Sequence, residues 1–171
     1  MTLHNTPEAF RQRLAQGRVA ELRVALYLMS KGCLVRLGFG KAAFDIEFID
    51  LDENRPPGVA LRVQRMEVKW DHRATETGNL YFETRNTRQR LPSGIRSTTA
   101  DWWCHLVGEG HEAFLVPVPS LRTFLDAGSF PSVRTDASDS NSEGLLVPRR
   151  KLAGCRSGHW ITLPELPPGL R

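Results

Sequence analysis

Residues 66–70 read Met-Glu-Val-Lys-Trp, and this alternation indicates both a β-strand and a candidate site. Strict alternation of apolar and polar residues is typical of a half-buried β-strand, because successive side chains point to opposite faces. Met66 and Val68 therefore point to the core. Glu67 and Lys69 share the opposite face, so a carboxylate and an ammonium group are predicted side by side on one strand.

An earlier strand adds a second carboxylate. Residues 44–48 read Phe-Asp-Ile-Glu-Phe and alternate in the same way. If the two strands pair with their apolar faces together, Asp45 joins Glu67 and Lys69. Converging carboxylates repel each other, and Mg²⁺, which binds one or two carboxylates plus waters and phosphate oxygens, relieves the repulsion. The backbone carbonyl of Val68 is a further candidate ligand.

Such a centre has the chemistry of phosphodiester hydrolysis. The metal lowers the pKa of a bound water and neutralises charge on the phosphate. Lys69 can orient the attacking water or stabilise the developing negative charge. The alternative for Glu67 and Lys69 is a solvated strand face that carries an ordinary ion pair.

Glu21 is the third candidate acid. It lies on a helical stripe with apolar residues that include Leu14 and Leu28, and this stripe is predicted to face the sheet. A carboxylate there must be paired or bind a metal, because burying it alone is costly. The alternative to a role at the metal is an internal ion pair with Arg18 or Arg23.

The rest of the chain mixes helical and strand patterns. A long helix is predicted from Pro7 to Ser30, with Thr6 as its N-cap. The other predicted elements are, in chain order, strands over 33–37, 44–48, 59–70 and 79–84, a basic loop over 85–94, a short helix from Thr98 or Thr99 to Leu106, a strand over 113–118, a helix over 120–127, a polar, mobile loop at about 131–144, and strands over 145–151 and 160–163. This order predicts one α+β domain over 1–171, with a mixed central sheet flanked by helices.

Some features near the fourth strand have two interpretations. Glu83, at the end of the stretch Asn-Leu-Tyr-Phe-Glu, is interpreted as an exposed strand end rather than as an acid of the site. Of Tyr81 and Phe82, one is expected in the core, and the other is then available to stack on bases. Trp102 and Trp103 are interpreted as core aromatics.

Composition restricts the partners and the compartment. The chain has 171 residues and a net charge of +4, which suits a polyanionic partner better than an acidic one. Its three cysteines show no C-x-x-C spacing, and no signal-type or membrane-spanning segment is apparent. These features predict a reducing, cytoplasmic setting and no membrane partner.

The ordered motifs resemble the PD-(D/E)xK nuclease superfamily, and within it the archaeal-type Holliday junction resolvases. The matching pieces are Gly17 with Ala20-Glu21, Val35-Arg36, Asp45-Ile46 and Glu67-Val68-Lys69. The resemblance implies an α/β/α restriction-endonuclease-like fold. It also implies that Asp45 and Glu67 bind Mg²⁺ or Mn²⁺, that Lys69 positions the nucleophilic water, and that Glu21 assists directly or through water.

The resulting expectation is a Mg²⁺-dependent endodeoxyribonuclease. By the resemblance its substrate is a four-way DNA junction in recombination, and two symmetric cuts call for a homodimer. The basic residues expected to contact DNA are Arg11, Arg18, Arg36, Lys41, Arg73, Arg85 and Arg88. The alternatives are an exonuclease or a repair or restriction-type nuclease of the same fold, and a non-catalytic DNA-binding domain.

Overall fold

A computed structural model describes residues 7–38, 44–52, 60–135 and 141–167. The predicted N-cap Thr6 and the predicted DNA contact Lys41 lie outside these residues. In chain order the elements are α1 (Pro7–Ser30), β1 (Cys33–Leu37), β2 (Ile46–Asp50), β3 (Gln64–Asp71), α2 (Ala74–Thr77), β4 (Asn79–Asn86), β5 (Leu91–Pro92), a 3₁₀ turn (Gly94–Arg96), β6 (Trp102–Val107), β7 (Glu112–Pro117), α3 (Val118–Ala127), β8 (Ser132–Thr135), β9 (Ser142–Pro148), a second 3₁₀ segment (Arg149–Gly154) and β10 (His159–Thr162).

The central sheet has six strands in the order β1-β2-β3-β6-β7-β10. Its β3–β6 pair is parallel and its other pairs are antiparallel, so the sheet is mixed. The α+β class with a mixed central sheet flanked by helices is therefore confirmed. A parallel pair needs a crossover connection, and here the crossover contains α2, β4 and β5 rather than a single long helix.

A second sheet of four strands, in the order β5-β4-β9-β8, was not predicted. Its apolar residues pack with α3 on one face of the central sheet. That core contains Phe82, Trp103, Phe114, Leu121 and Val147. On the other face α1 packs against β2 and β3 in a separate core. This core contains Ala20, Val24, Ala25 and Leu28 of α1 together with Ile46, Met66 and Val68 of the two strands. The two cores hold the middle strands β3 and β6 between them.

The helix predicted from Thr98 or Thr99 to Leu106 is wrong, because this segment contains the central strand β6. Trp103, Leu106 and Val107 are almost fully buried, and β6 pairs with β3 on one side and β7 on the other. A strand that is buried on both faces reads as a continuous apolar run, and such a run has no period that distinguishes it from a helix.

Two predicted loops are also partly wrong. The basic loop over 85–94 contains the end of β4 and all of β5. The polar loop at about 131–144 contains β8 and the beginning of β9, while residues 136–140 lie outside the described ones. β8 lies at the edge of its sheet, where exposed polar side chains such as those of Ser132 and Arg134 are compatible with strand pairing.

The predicted helix α1 has the expected bounds, but its sheet-facing stripe begins later than predicted. Leu28 is 5% exposed, whereas Leu14 is 58% exposed. The helix has 24 residues and rises about 1.5 Å per residue, so its first turns extend beyond the sheet. None of the helices in the described ranges is both long and apolar enough to cross a bilayer.

Candidate active centre

Asp45 lies immediately before β2, where three backbone segments meet. Its N–H donates to the carbonyl of Met66 (3.1 Å), and its own carbonyl accepts from the N–H of Gly38 (2.7 Å). Ile46 pairs with Met66 in the register of β2 and β3. Continued by one position, this antiparallel register sets Asp45 opposite Glu67. The carboxylate of Asp45 is fixed as well, because Oδ2 accepts from the N–H of Val68 at 2.7 Å.

Glu67 and Lys69 project from the same face of β3, as the alternation predicts. Lys69 Nζ lies 2.6 Å from Glu67 Oε1, and the Glu67 side chain is 18% exposed while that of Lys69 is 43% exposed. The hydroxyl of Thr98 donates a long hydrogen bond, 3.5 Å, to Glu67 Oε2. The structure thus brings Asp45, Glu67 and Lys69 together, and it also contains the ion pair that the alternative interpretation predicts.

The pKa values of Asp45 and Lys69 are both raised, for different physical reasons. Burial raises the pKa of Asp45, and the neighbouring charge of Glu67 raises it further. The hydrogen bond from Val68 and the charge of Lys69 oppose this shift without cancelling it. Burial lowers the pKa of Lys69, but the carboxylates of Glu67 and Asp45 outweigh burial and raise that pKa overall. Lys69 is therefore a cation at neutral pH, and the carboxyl group of Asp45 is costly to ionise.

The three groups line one open cavity of about 390 Å³. Its lining also includes Phe44, Glu83, Gly94, Ser97, Thr98 and Thr99. The cavity lies between the central sheet, which supplies Glu67 and Lys69, and β4 of the second sheet. A substrate group of small size can therefore reach the carboxylates from solvent.

Glu83 is a residue of this cavity that the sequence interpretation placed elsewhere. It is half-buried, and its charge contributes to the raised pKa of Lys69. The pairing of β4 with β9 is irregular between Glu83 and Arg85. Gly94 packs on Glu83 with φ +52°, and a Cβ at Gly94 would lie 2.5 Å from the Glu83 carbonyl oxygen. The position of Glu83 depends on the second sheet, which no local pattern indicated.

Glu21 forms the internal ion pair that one of its two interpretations predicts, and its role at a metal stays a prediction. Arg18 forms an ion pair with it, and the same guanidinium group donates to the carbonyl of Gly38 at 2.8 Å. Burial raises the pKa of Glu21, the hydrogen bond from Arg18 lowers it, and the charge of Asp45 raises it again. Glu21 is thus paired with an arginine and is also close enough to Asp45 to be repelled by it.

The donor chemistry fits a divalent cation held by two carboxylates. Burial raises the pKa of Asp45 and the charge of Glu67 raises it further, and Mg²⁺ is usually bound through one or two protein carboxylates. Within the described ranges no group of three or more histidine, cysteine, aspartate or glutamate side chains is arranged to hold a metal. Asp45, Glu67, Glu21 and the carbonyl of Val68 all remain predicted ligands.

The predicted DNA-contacting residues are spread over several surfaces. Arg18 is connected to the candidate centre by its ion pair with Glu21. Arg36 forms an ion pair with Glu47. Arg73 follows β3 and lines a cavity beside the centre, and Arg85 lines a shallow depression with Arg90 and Arg96. The side chains of Arg11 and Arg88 are exposed.

No protein-family model matches the chain, and no curated protein sequence matches it. The chain is similar in structure to a bacterial homing endonuclease, with 23% sequence identity and a TM-score of 0.46. The match covers 71% of this chain and 78% of that one.

Proposed function

We propose that this protein is a metal-dependent DNA endonuclease that hydrolyses phosphodiester bonds at Asp45, Glu67 and Lys69. The observation that carries the proposal is the open cavity in which a carboxylate of raised pKa meets a second carboxylate and a protonated lysine. Perturbed groups that gather in a cleft are typical of catalytic sites. The net charge of +4 is compatible with a polyanionic substrate.

The residues have distinct roles in this proposal. Lys69 is protonated, so it acts as a hydrogen-bond donor that orients water or stabilises charge on the phosphate, and not as the general base. Asp45, fixed by the N–H of Val68, and Glu67, fixed by Lys69, would hold the cation. A bound Mg²⁺ or Mn²⁺ would supply the activation of water and the neutralisation of the phosphate. Glu21 on α1 would assist at the metal, directly or through water.

The finer proposal is a homodimer that resolves four-way junctions. It rests on the resemblance of the motif set Gly17, Glu21, Asp45, Glu67 and Lys69 to the resolvases. Two symmetric incisions require two centres related by a twofold axis, which a homodimer supplies.

The test compares labelled DNA substrates with the wild type, Lys69→Ala and Lys31→Ala, in Mg²⁺ or Mn²⁺ and in EDTA. Lys31, exposed beyond the end of α1, is the matched lysine control. We expect the wild type and Lys31→Ala to cut in the presence of metal, with Lys69→Ala slower by about a thousandfold. Equal cutting by all three proteins contradicts the proposed role of Lys69, and no cutting by any of them contradicts the endonuclease.

The same assay tests the finer proposal. A resolvase cuts a four-way junction in preference to a linear duplex of the same sequence, with paired incisions. Equal cutting of both forms rejects junction selectivity, and cutting only from DNA ends indicates an exonuclease. Binding without cutting would identify a non-catalytic DNA-binding domain.

A further inference from the structure

A shallow cavity of about 690 Å³ lies across the 3₁₀ turn Gly94–Arg96 from the candidate active centre. The turn separates the two cavities, because Gly94 lines the cavity of the centre and Arg96 lines the shallow one. The shallow cavity is here called the basic depression, and its lining includes Thr84, Arg85, Arg90, Arg96 and Glu143. A long molecule that occupies the centre can continue over this turn into the depression.

An irregularity in β4 turns neighbouring side chains of this strand to different cavities. Glu83 pairs with Gly144 of β9, whereas Arg85 pairs with Glu143. Paired residues of an antiparallel ladder share a face, and consecutive residues of a strand do not. Glu83 and Arg85 therefore point to opposite faces of the second sheet, because Thr84 is inserted between them as in a β-bulge. One strand thus supplies a carboxylate to the centre and a guanidinium group to the depression.

The depression has an excess of positive charge. Arg85 and Arg90 are exposed, and neither forms an ion pair with another residue in the part of the chain that the structure describes. Arg96 is paired with Asp126 at 2.5 Å. Glu143 supplies a carboxylate to the lining, against three guanidinium groups. Each guanidinium group carries five N–H donors, so those of Arg85 and Arg90 are available to an anion.

We infer that the basic depression binds the phosphate backbone of the DNA that flanks the cut. This inference rests on the proposed nuclease function of the neighbouring centre. The planar guanidinium group of arginine matches a phosphate group with two parallel hydrogen bonds. Contacts to phosphate position the DNA and carry no sequence information. The predicted substrate is DNA whose backbone continues from the scissile phosphate over the 3₁₀ turn, whatever its sequence.

Binding in EDTA tests the depression independently of catalysis. Fluorescence anisotropy at several salt concentrations gives the Kd, and its dependence on salt, for two duplexes of unrelated sequence. Each contact of a basic side chain with a phosphate contributes about 0.9 to the slope of log K against log salt concentration. We therefore expect Arg85→Gln and Arg90→Gly each to weaken binding by about fivefold and to lower this slope by about one, equally for both duplexes.

These variants and their control are chosen to keep the fold. Arg85 and Arg90 have exposed side chains, and Arg90 has φ +58°, a backbone conformation that glycine adopts readily. The matched control is Arg156→Gln, since Arg156 is exposed and lines a different cavity beside α3. It should change neither the Kd nor the salt slope.

Removal of the carboxylate that neutralises Arg96 should have the opposite effect. Asp126 is exposed and forms its ion pair with Arg96 at the edge of the depression. Asp126→Asn frees a third guanidinium group, so we expect it to tighten DNA binding by about twofold at low salt. Weaker binding by this variant would contradict a phosphate site at the depression.

An unchanged affinity and slope in both Arg85→Gln and Arg90→Gly would overturn the inference. An affinity for poly-glutamate that equals the affinity for DNA and depends on the same two arginines would also overturn it, because an acidic protein would then fit as well. Cleavage in Mg²⁺ or Mn²⁺ separates the two proposals. Arginine-dependent binding of DNA without any cleavage rejects the nuclease but not the depression, whereas cleavage by the wild type with unchanged slopes in the variants rejects the depression alone.

Discussion

Asp45 and Glu47 lie two residues apart and point to the same side of the chain, yet their surroundings are opposite. Glu47 is 8% exposed and forms ion pairs with Arg36 and Arg65. Burial raises the pKa of Glu47, but the hydrogen bonds from the two arginines outweigh it and hold the pKa below its usual value. The pKa of Asp45 is raised instead, first by burial and then by Glu67.

The difference separates a structural carboxylate from a candidate functional one. Two arginines neutralise Glu47, so its ionised form is stable in the folded protein. Asp45 accepts one backbone N–H and meets another carboxylate, so its ionised form is stabilised only incompletely. A carboxylate whose ionised form lowers the stability of the fold is expected where a bound ligand supplies the missing positive charge.

The largest expected effect is on the rate of DNA cleavage, after removal of the Glu67 charge that faces Asp45. Glu67→Gln should slow DNA cleavage by about a thousandfold, because it removes a proposed ligand and the partner of Lys69. It should also lower the pKa of Asp45, since the charge of Glu67 raises it. Single-turnover cleavage measures the first effect, and an NMR titration of the Asp45 carboxyl group measures the second. An unchanged pKa of Asp45 would show that the two carboxylates are not coupled.

The next effect is a dependence of cleavage on pH. Because the pKa of Asp45 is raised above its ordinary value of 3.8, Asp45 gains a proton at a higher pH than a solvated aspartate. Below that pKa the rate should fall by about tenfold for each pH unit, because only the ionised form is active. Higher Mg²⁺ should move the fall to lower pH, since metal and proton compete for the carboxylate. A pH profile of the cleavage rate that does not shift with the Mg²⁺ concentration would contradict competition between metal and proton at Asp45.

Glu47→Gln should reduce stability and leave the proposed chemistry in place. It removes the charge shared by Arg36 and Arg65, so we expect Tm at neutral pH to fall by several degrees. Since the pKa of Glu47 is lowered, its contribution is present above the ordinary value of 4.5 and disappears as the pH falls through the lowered one. The Tm difference between wild type and variant should therefore vanish in acid. A constant difference at all pH values would contradict the ion-pair explanation.

The smallest expected effect is a change in Tm, and its sign is opposite to that expected for Glu47→Gln. Asp45→Asn removes a charge that folding makes costly, while the amide oxygen can still accept from the N–H of Val68. A raised pKa means that ionised Asp45 destabilises the fold above that pKa, so Tm at neutral pH should rise by roughly 2 °C. Thermal unfolding without metal measures the change. A lower Tm would show that the carboxylate at this position is structural, as that of Glu47 is.

Part of this arrangement could be predicted from the sequence because it depends on local alternation. The period of two on β3 assigns Glu67 and Lys69 to one face and Met66 and Val68 to the other. Pairing of the apolar faces then brings Asp45 to them. These steps need only neighbouring residues in two adjacent strands.

The remainder depends on contacts between distant segments. Glu83 reaches the cavity because β4 belongs to a second sheet, which has no separate signature in the sequence. β6 resembles a helix locally because both of its faces are buried. The choice of Glu47 rather than Asp45 as the partner of Arg36 and Arg65 is set by the register of β1, β2 and β3. Alternation alone places Asp45 and Glu47 on the same face and cannot separate them.

The most direct measurement is cleavage of labelled DNA in Mg²⁺ by the wild type, Asp45→Asn and Glu47→Gln at a temperature at which all three are folded. We expect the wild type and Glu47→Gln to cut at similar rates, and Asp45→Asn to be slower by about a thousandfold despite its higher Tm. Equal cutting by Asp45→Asn, or loss of cutting in Glu47→Gln with Asp45→Asn active, would contradict the proposed centre.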